Sequence, residues 1–209
     1  MDFEHFRHYA RGWVLHFFGQ EEKAFNAYAA AYRIRPNDAQ AARHLAHIAA
    51  RRQQFDVADK WFAETLRLAP EHADTHFNRG FVLEQAGRSR EAIAAFAEAA
   101  RLKPSLDRAF YGMGLAHARL GEHAEAAAAF ARAAELQPMS GEVYYQWGMA
   151  CHHAFQPDQV TKVVKQLIGF DPKRAMKLIR TPSARTSSIS CPRKCGASSK
   201  PTAAKTVFF

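Results

Sequence analysis

The sequence predicts an all-α protein, built as an array of five 34-residue helix-turn-helix repeats, and three observations carry that prediction. Prolines recur every 34 residues, at Pro36, Pro70, Pro104, Pro138 and Pro172. Small, alanine and aromatic residues recur in register within the same period. No stretch alternates apolar and polar residues over the length of a strand, so no strands are expected. A fixed period of this length is typical of repeat architectures.

The repeats are expected at residues 5–38, 39–72, 73–106, 107–140 and 141–174. Their eighth column reads Gly12, Ala46, Gly80, Gly114 and Gly148. Their twentieth column is alanine except for Val160, and their twenty-fourth is Tyr28, Phe62, Phe96, Phe130 and Val164. Small residues at eight and twenty are expected to let the two helices of a repeat approach closely. The aromatic at twenty-four is expected to fill the wedge toward the next repeat.

The helix boundaries follow from glycine and proline. Gly19, Gly87 and Gly121 share the fifteenth column, where a glycine can end the first helix in a left-handed conformation. Repeats two and five have Gln53 and Phe155 there instead. Proline near the end of each repeat cannot continue the second helix, because it lacks an N–H and clashes with the preceding turn.

Composition and charge narrow the class of protein. The 209 residues are 48% hydrophobic and 23% charged, as in soluble globular proteins. No apolar run approaches the ~20 residues of a membrane span, and no secretory signal is recognisable, so a cytoplasmic location without membrane insertion is expected. The net charge of +9 comes from residues 173–209, which hold nine Lys+Arg and no acid, whereas residues 1–172 hold 20 of each sign.

The repeat columns resemble those of the tetratricopeptide repeat family. The segments that carry the resemblance are NRGFVLEQAGRSREAIAAFAEAARLKP (78–104) and YGMGLAHARLGEHAEAAAAFARAAELQP (111–138). The resemblance covers about 170 residues and is weakest in repeat five. It implies a right-handed α-solenoid. It also implies a protein-binding role, although one scaffold of this kind serves many partners.

The chain is expected to divide into an array at 1–180 and a tail at 181–209. Residues 173–180, KRAMKLIR, predict a short helix that caps the apolar end of the solenoid. Because that cap is short, the sequence also predicts weak self-association through this end. The tail holds ten Ser/Thr and five Lys/Arg, a composition typical of disorder, and it also fits a frameshifted or expression-derived end.

The residues that could carry chemistry form no catalytic or metal-binding motif. His5/His8, His44/His47 and His72/His76 have spacings that place two imidazoles on one helix face, but a zinc site needs three or four ligands. Cys191 and Cys195 form one isolated C-x₃-C pair. We therefore expect no enzyme activity, no cofactor, no metal and no small-molecule substrate.

The resemblance implies that the first helices of the repeats line a concave groove. Columns two, five, six, nine, twelve and thirteen would then face a partner, starting in repeat one with Phe6, Trp13 and Phe17. The candidate partner-binding residues of repeats two to five are Arg43, His47, Phe77, Asn78, Phe81, Arg108, Tyr111, Arg119 and Tyr145. Aromatics mixed with arginine are typical of protein-binding surfaces. The alternative is that some of these aromatics pack between repeats.

Some members of the family use five groove residues to clamp a carboxylate. In the one frame that fits here, those positions hold Arg43, His47, Asn78, Arg108 and Gly112, so the last basic residue is missing. The hypothesis is therefore a degenerate carboxylate site in the centre of the groove. Phe77, Phe81 and Tyr111 would favour an aromatic or aliphatic residue next to the acid.

The function expected from the sequence is a scaffold or adaptor that binds a partner peptide or helix in the groove. A chaperone or secretion-chaperone adaptor is the alternative within the same class. A nucleic-acid or membrane-surface adaptor that uses the basic tail is the alternative from another class. Nucleic acid is the less favoured ligand, because the array is neutral and the tail has five basic residues and no aromatic interleaving.

Overall fold

A computed structural model describes residues 3–181, which form eleven α-helices and no strand. The first helices of the five repeats are α1 (Phe3–Phe17), α3 (Ala39–Arg51), α5 (Ala73–Gln85), α7 (Asp107–Arg119) and α9 (Gly141–His153). The second helices are α2 (Glu21–Ile34), α4 (Phe55–Leu68), α6 (Ser89–Leu102), α8 (His123–Leu136) and α10 (Pro157–Phe170). A last helix, α11, spans Pro172–Ile179. The predicted tail lies outside the described residues, except for Thr181.

The helices stack in chain order, as the prediction of an all-helical solenoid requires. The two helices of each repeat pack against each other, and each second helix packs against the first helix of the next repeat. Each second helix ends two residues before the recurring proline, from Ile34 before Pro36 to Phe170 before Pro172. The fold class expected from the sequence is confirmed.

The twenty-fourth column fills the core in a way that refines the sequence prediction. The ring of Phe96 lies between Gly80 of its own repeat and Gly112 of the next, since a Cβ built at either glycine would lie 2.7 Å from a ring carbon. The small residue of the eighth column therefore makes room for this ring. Ala92 in the twentieth column is fully buried beside it. The aromatic thus contacts both its own repeat and the next.

The turns within the repeats share one backbone conformation. Gly19, Gly87 and Gly121 have φ angles of 71°, 77° and 78°, in the left-handed region. Gln53 and Phe155, in the same column, adopt φ angles of 58° and 56° without the freedom of glycine. The turn geometry is therefore set by the packing of the two helices, and it persists where the sequence does not favour it.

Helix α11 lies where a capping helix was expected. The Asp171 side chain accepts a hydrogen bond from Arg174 N at 3.1 Å, which begins the helix. Ala175 and Leu178 are fully buried against the last repeat. The side chain of Leu178 packs over Gly148 and so occupies the place that an aromatic ring takes in the preceding repeats.

Candidate functional site

The first helices of neighbouring repeats contact one another through side chains. His44 Nε2 lies 3.1 Å from the hydroxyl of Tyr9, which precedes it by 35 residues. Arg119 repeats this spacing, since its Nε lies 2.9 Å from Oε1 of Glu84. These contacts join helices α1 to α3 and α5 to α7. We call the residues at columns two, five, six, nine, twelve and thirteen of these helices the first-helix surface.

Several large apolar side chains of the first-helix surface are open to solvent. In repeat one, Phe6, Trp13 and Phe17 are each more than half exposed, and the rings of Trp13 and Phe17 stack with centroids 6.1 Å apart. In the central repeats, Phe81 is 50% and Leu115 is 37% exposed. Exposed apolar residues on neighbouring elements are typical of sites that bind another protein.

Two of the predicted groove aromatics, Phe77 and Tyr111, are half-buried and contact rings of the core. The ring of Phe77 lies 5.7 Å from the ring of Phe96, and the guanidinium of Arg108 lies over the Phe77 ring, 5.0 Å from its centroid. Tyr111 lies 5.6 Å from Phe130. Burial raises the pKa of the Tyr111 hydroxyl, and the carboxylate of Glu142 raises it further. Both aromatics therefore pack between helices while remaining partly accessible.

The histidines of repeat two pack between helices. His44 stacks on the ring of Tyr28 with centroids 4.6 Å apart, and His47 meets the ring of Phe62 edge-on at 5.3 Å. Burial lowers the pKa of His47 to about 4, with the charge of Arg43 as the next cause. At neutral pH His47 can therefore form a hydrogen bond to a ligand but carries no charge.

The structure explains why the hypothesised carboxylate site has a glycine where its last basic residue would stand. A side chain at Gly112 would overlap the ring of Phe96, so the packing of this array excludes an arginine there. Arg43 is held in place, with Nη1 at 3.2 Å from His72 Nε2 and Nη2 donating to Gln40. Arg108 lies over Phe77. The two guanidinium groups are therefore held at defined places on the surface.

Arg119 and Tyr145 have partners within the protein. Arg119 Nη1 donates to the backbone oxygen of Glu84 at 3.0 Å, in addition to its ion pair with the buried Glu84 carboxylate. Lys177 Nζ lies 4.6 Å from the ring centroid of Tyr145. The repeat columns did not predict that Glu84 is buried and paired with Arg119, although the 35-residue separation of the two residues can be read from the sequence.

The histidine pairs bind other groups in the structure. His5 Nε2 lies 2.8 Å from Asp38 Oδ2, and His76 Nε2 lies 2.9 Å from the backbone oxygen of Pro70. Within residues 3–181, no group of three or more His, Cys, Asp or Glu side chains could hold a metal ion. Cys151 is buried, which raises the pKa of its thiol to about 11. Cys191 and Cys195 lie outside the described residues.

Comparison with known proteins decides the family. The sequence model of the tetratricopeptide repeat matches residues 7–38, 43–107 and 77–140. The chain belongs to the tetratricopeptide repeat family. The matched ranges fall in repeats one to four, and repeat five is nevertheless a helix pair of the same kind, α9 and α10. Helices α1 to α11, in the part of the chain that is described, include none long and apolar enough to cross a membrane.

Solved structures agree with this tetratricopeptide repeat assignment. A crystal structure of MamA is 20% identical with a TM-score of 0.77, covering 84% of this chain and 96% of MamA. YrrB, described as having an unusual peptide-binding site, is 19% identical with a TM-score of 0.73, covering 83% and 91%. Pseudomonas aeruginosa PilF is 20% identical with a TM-score of 0.65, covering 88% and 86%. At these identities the structural similarity shows the fold alone. The comparison with curated protein sequences gives no significant match.

Proposed function

We propose that this protein is a scaffold or adaptor whose first-helix surface binds a peptide or helical segment of another protein. The observation that carries the proposal is the exposure of Phe6, Trp13, Phe17, Phe81 and Leu115 on that surface. Tetratricopeptide repeat proteins are generally interaction scaffolds, and YrrB has a peptide-binding site by its own description. Aromatic side chains give large contact areas and dominate binding energies at such surfaces.

The chemistry of the central repeats favours a peptide with apolar side chains and an acid. Phe81 and Leu115 offer apolar contact area. Arg43 and Arg108 supply two positive charges, and guanidinium groups match the geometry of a carboxylate. The exclusion of a side chain at Gly112 by Phe96 argues against the full five-residue clamp, while the chaperone or secretion-chaperone adaptor stays the alternative within the same class.

Other parts of the proposal rest on the sequence. The absence of enzyme activity and the cytoplasmic location remain predictions, and an interaction role needs neither a cofactor nor a small-molecule substrate. The nucleic-acid or membrane-surface alternative depends on the basic tail, nearly all of which lies outside the described residues. Weak self-association through the C-terminal end also remains a prediction.

The test is a selection from a phage-displayed peptide library against the full chain, followed by titration of the selected peptides. Phe81→Glu is expected to weaken their binding at least tenfold, because it places a charge where apolar side chains would be buried. Met139→Glu is the matched control, since Met139 is equally apolar, is 74% exposed and lies in the turn after α8. Equal binding by the two variants would contradict the proposal.

A further inference from the structure

The first helix of the array lacks a cover that the other first helices have. In repeats two to five the tenth column is at most 4% exposed, as Ile48, Val82, Ala116 and Ala150 show. Those side chains are buried because the second helix of the preceding repeat packs on the first helix. In repeat one the same column is Val14, which is 44% exposed.

We call the corresponding side of α1 the end face; its members are Arg7, Arg11, Val14 and Phe18, at columns three, seven, ten and fourteen. This face is separate from the first-helix surface, which uses other columns of the same helix. Val14 and Phe18 are exposed apolar side chains, and Arg7 lies 3.7 Å from the carboxylate of Glu4. Arg11 forms no ion pair or hydrogen bond within the described part of the chain. The end face is therefore an apolar strip beside an unpaired positive charge.

Helix α5 shows what kind of helix covers such a face. Its seventh and tenth columns are Arg79 and Val82, the same residue types as Arg11 and Val14. Arg79 Nε donates to Asp59 Oδ1 of α4 at 2.7 Å, and Asp59 is buried. Val82 belongs to one apolar cluster with Phe62 of α4. The arginine is thus met by an aspartate of α4, and the valine lies in an apolar cluster to which α4 contributes.

The surroundings of Arg11 also favour a carboxylate. A cleft of about 250 Å³ between α1 and α2 is lined by His8, Arg11, Lys23 and Asn26, with Ala27 and Ala30 at the α2 side. None of these lining residues is acidic. A carboxylate placed there would meet the side chains of Arg11 and Lys23 and the amide of Asn26, which gives electrostatic complementarity to an acidic partner and disfavours a basic one.

We propose that the end face of α1 binds an amphipathic helix of a partner protein that presents a carboxylate to Arg11 and apolar side chains to Val14 and Phe18. The partner helix takes the place that α4 takes on α5. A second copy of this chain stacked head to tail fits poorly, because its α11 end carries Lys173, Lys177 and Arg180 beside Arg174, which is paired with Asp171 and Glu142. These charges would face the basic cleft.

The probe is a fluorescein-labelled peptide with the sequence of residues 52–70, which contains α4, titrated into the full chain and followed by fluorescence anisotropy. Saturable binding is expected. Arg11→Glu in the protein and Asp59→Lys in the peptide should each weaken it at least tenfold. Combining the two changes should restore binding, because the charge pair is then reversed. Circular dichroism checks that the Arg11→Glu protein remains folded, as expected for an exposed residue.

Two variants separate this face from other sites on the protein. Phe81→Glu, on the first-helix surface, is expected to leave binding of the peptide unchanged, whereas Val14→Asp should weaken it. Absence of binding would overturn the proposal. So would loss of binding on Arg79→Glu but not on Arg11→Glu, because the peptide would then bind α5 by displacing α4 from it. Sedimentation that shows a dimer abolished by Val14→Asp would also overturn it, because a second copy would then cover the face.

Discussion

The ring of Phe130 lies directly on Gly114, and a Cβ built on that glycine would lie 2.6 Å from ring atoms Cδ1 and Cε1. Phe96 lies on Gly80 in the same way, as the corresponding pair one repeat earlier. In each pair the glycine and the phenylalanine are sixteen positions apart and belong to the first and second helices of one repeat. Glycine and aromatic residue therefore recur together, because each ring occupies space that a side chain at the eighth column would take.

Gly114→Leu is expected to lower the free energy of unfolding by about 1–3 kcal/mol, because the added side chain and the ring of Phe130 would overlap. Thermal and chemical denaturation followed by circular dichroism measure the change. Gly169→Ala is the control, since a Cβ at this helical glycine meets no atom within 4 Å. That substitution should leave stability unchanged or raise it by up to about 1 kcal/mol. A neutral Gly114→Leu would contradict the packing.

Gln53→Gly and Phe155→Gly are each expected to raise the free energy of unfolding by about 0.5–1 kcal/mol, because both residues hold a left-handed φ that glycine adopts without strain. Both side chains are exposed, so little packing is lost. Gly87→Ala tests the reverse: it should lower stability by about 1 kcal/mol, although a Cβ there meets no atom within 4 Å. Differential scanning calorimetry of the three variants checks the signs, and a destabilised Gln53→Gly would count against the explanation.

His47 is expected to make stability depend on pH. Its pKa of about 4 in the folded protein lies below the ordinary value of 6.5, so the unfolded chain binds the proton more tightly. The contribution of neutral His47 is therefore complete above pH 6.5 and is lost as the pH falls toward 4, by about 2–3 kcal/mol. Urea denaturation of wild type and His47→Gln at pH 7 and 4.5 should show a smaller loss in the variant. Equal losses in both proteins would refute the assignment.

A free carboxylate on the ligand is expected to contribute to binding at the central first-helix surface. Amidation of the C-terminus of a peptide that ends in an apolar residue, and the double substitution Arg43→Ala/Arg108→Ala, should each weaken binding by about tenfold. The two changes together should cost little more than either alone, because they remove the same interaction. Isothermal titration measures the affinities. If neither change affects them, the carboxylate hypothesis fails, and the general proposal of a peptide-binding surface is left to the Phe81→Glu test.

Part of the candidate site could be predicted from the sequence. The columns of the repeat placed Phe81 and Arg108 on the first helices, and both side chains are exposed there. The same columns did not reveal that Arg119 is tied to Glu84, or that Arg43 contacts His72. A repeat alignment specifies the helix and the direction of each residue, whereas ion pairs between repeats depend on how two particular repeats pack together.

The sequence by itself determined the number of repeats, the ends of the second helices and the family, because proline, glycine and aromatic residues in a fixed period leave one regular way to stack helix pairs. Tertiary packing decided the remaining features. It forces Gln53 and Phe155 into the conformation of the turn glycines, fills the space at Gly112 with the ring of Phe96, and leaves Val14 uncovered at the end of the array. Each of these features depends on residues distant in the chain, because in a closely packed protein two groups cannot occupy the same space.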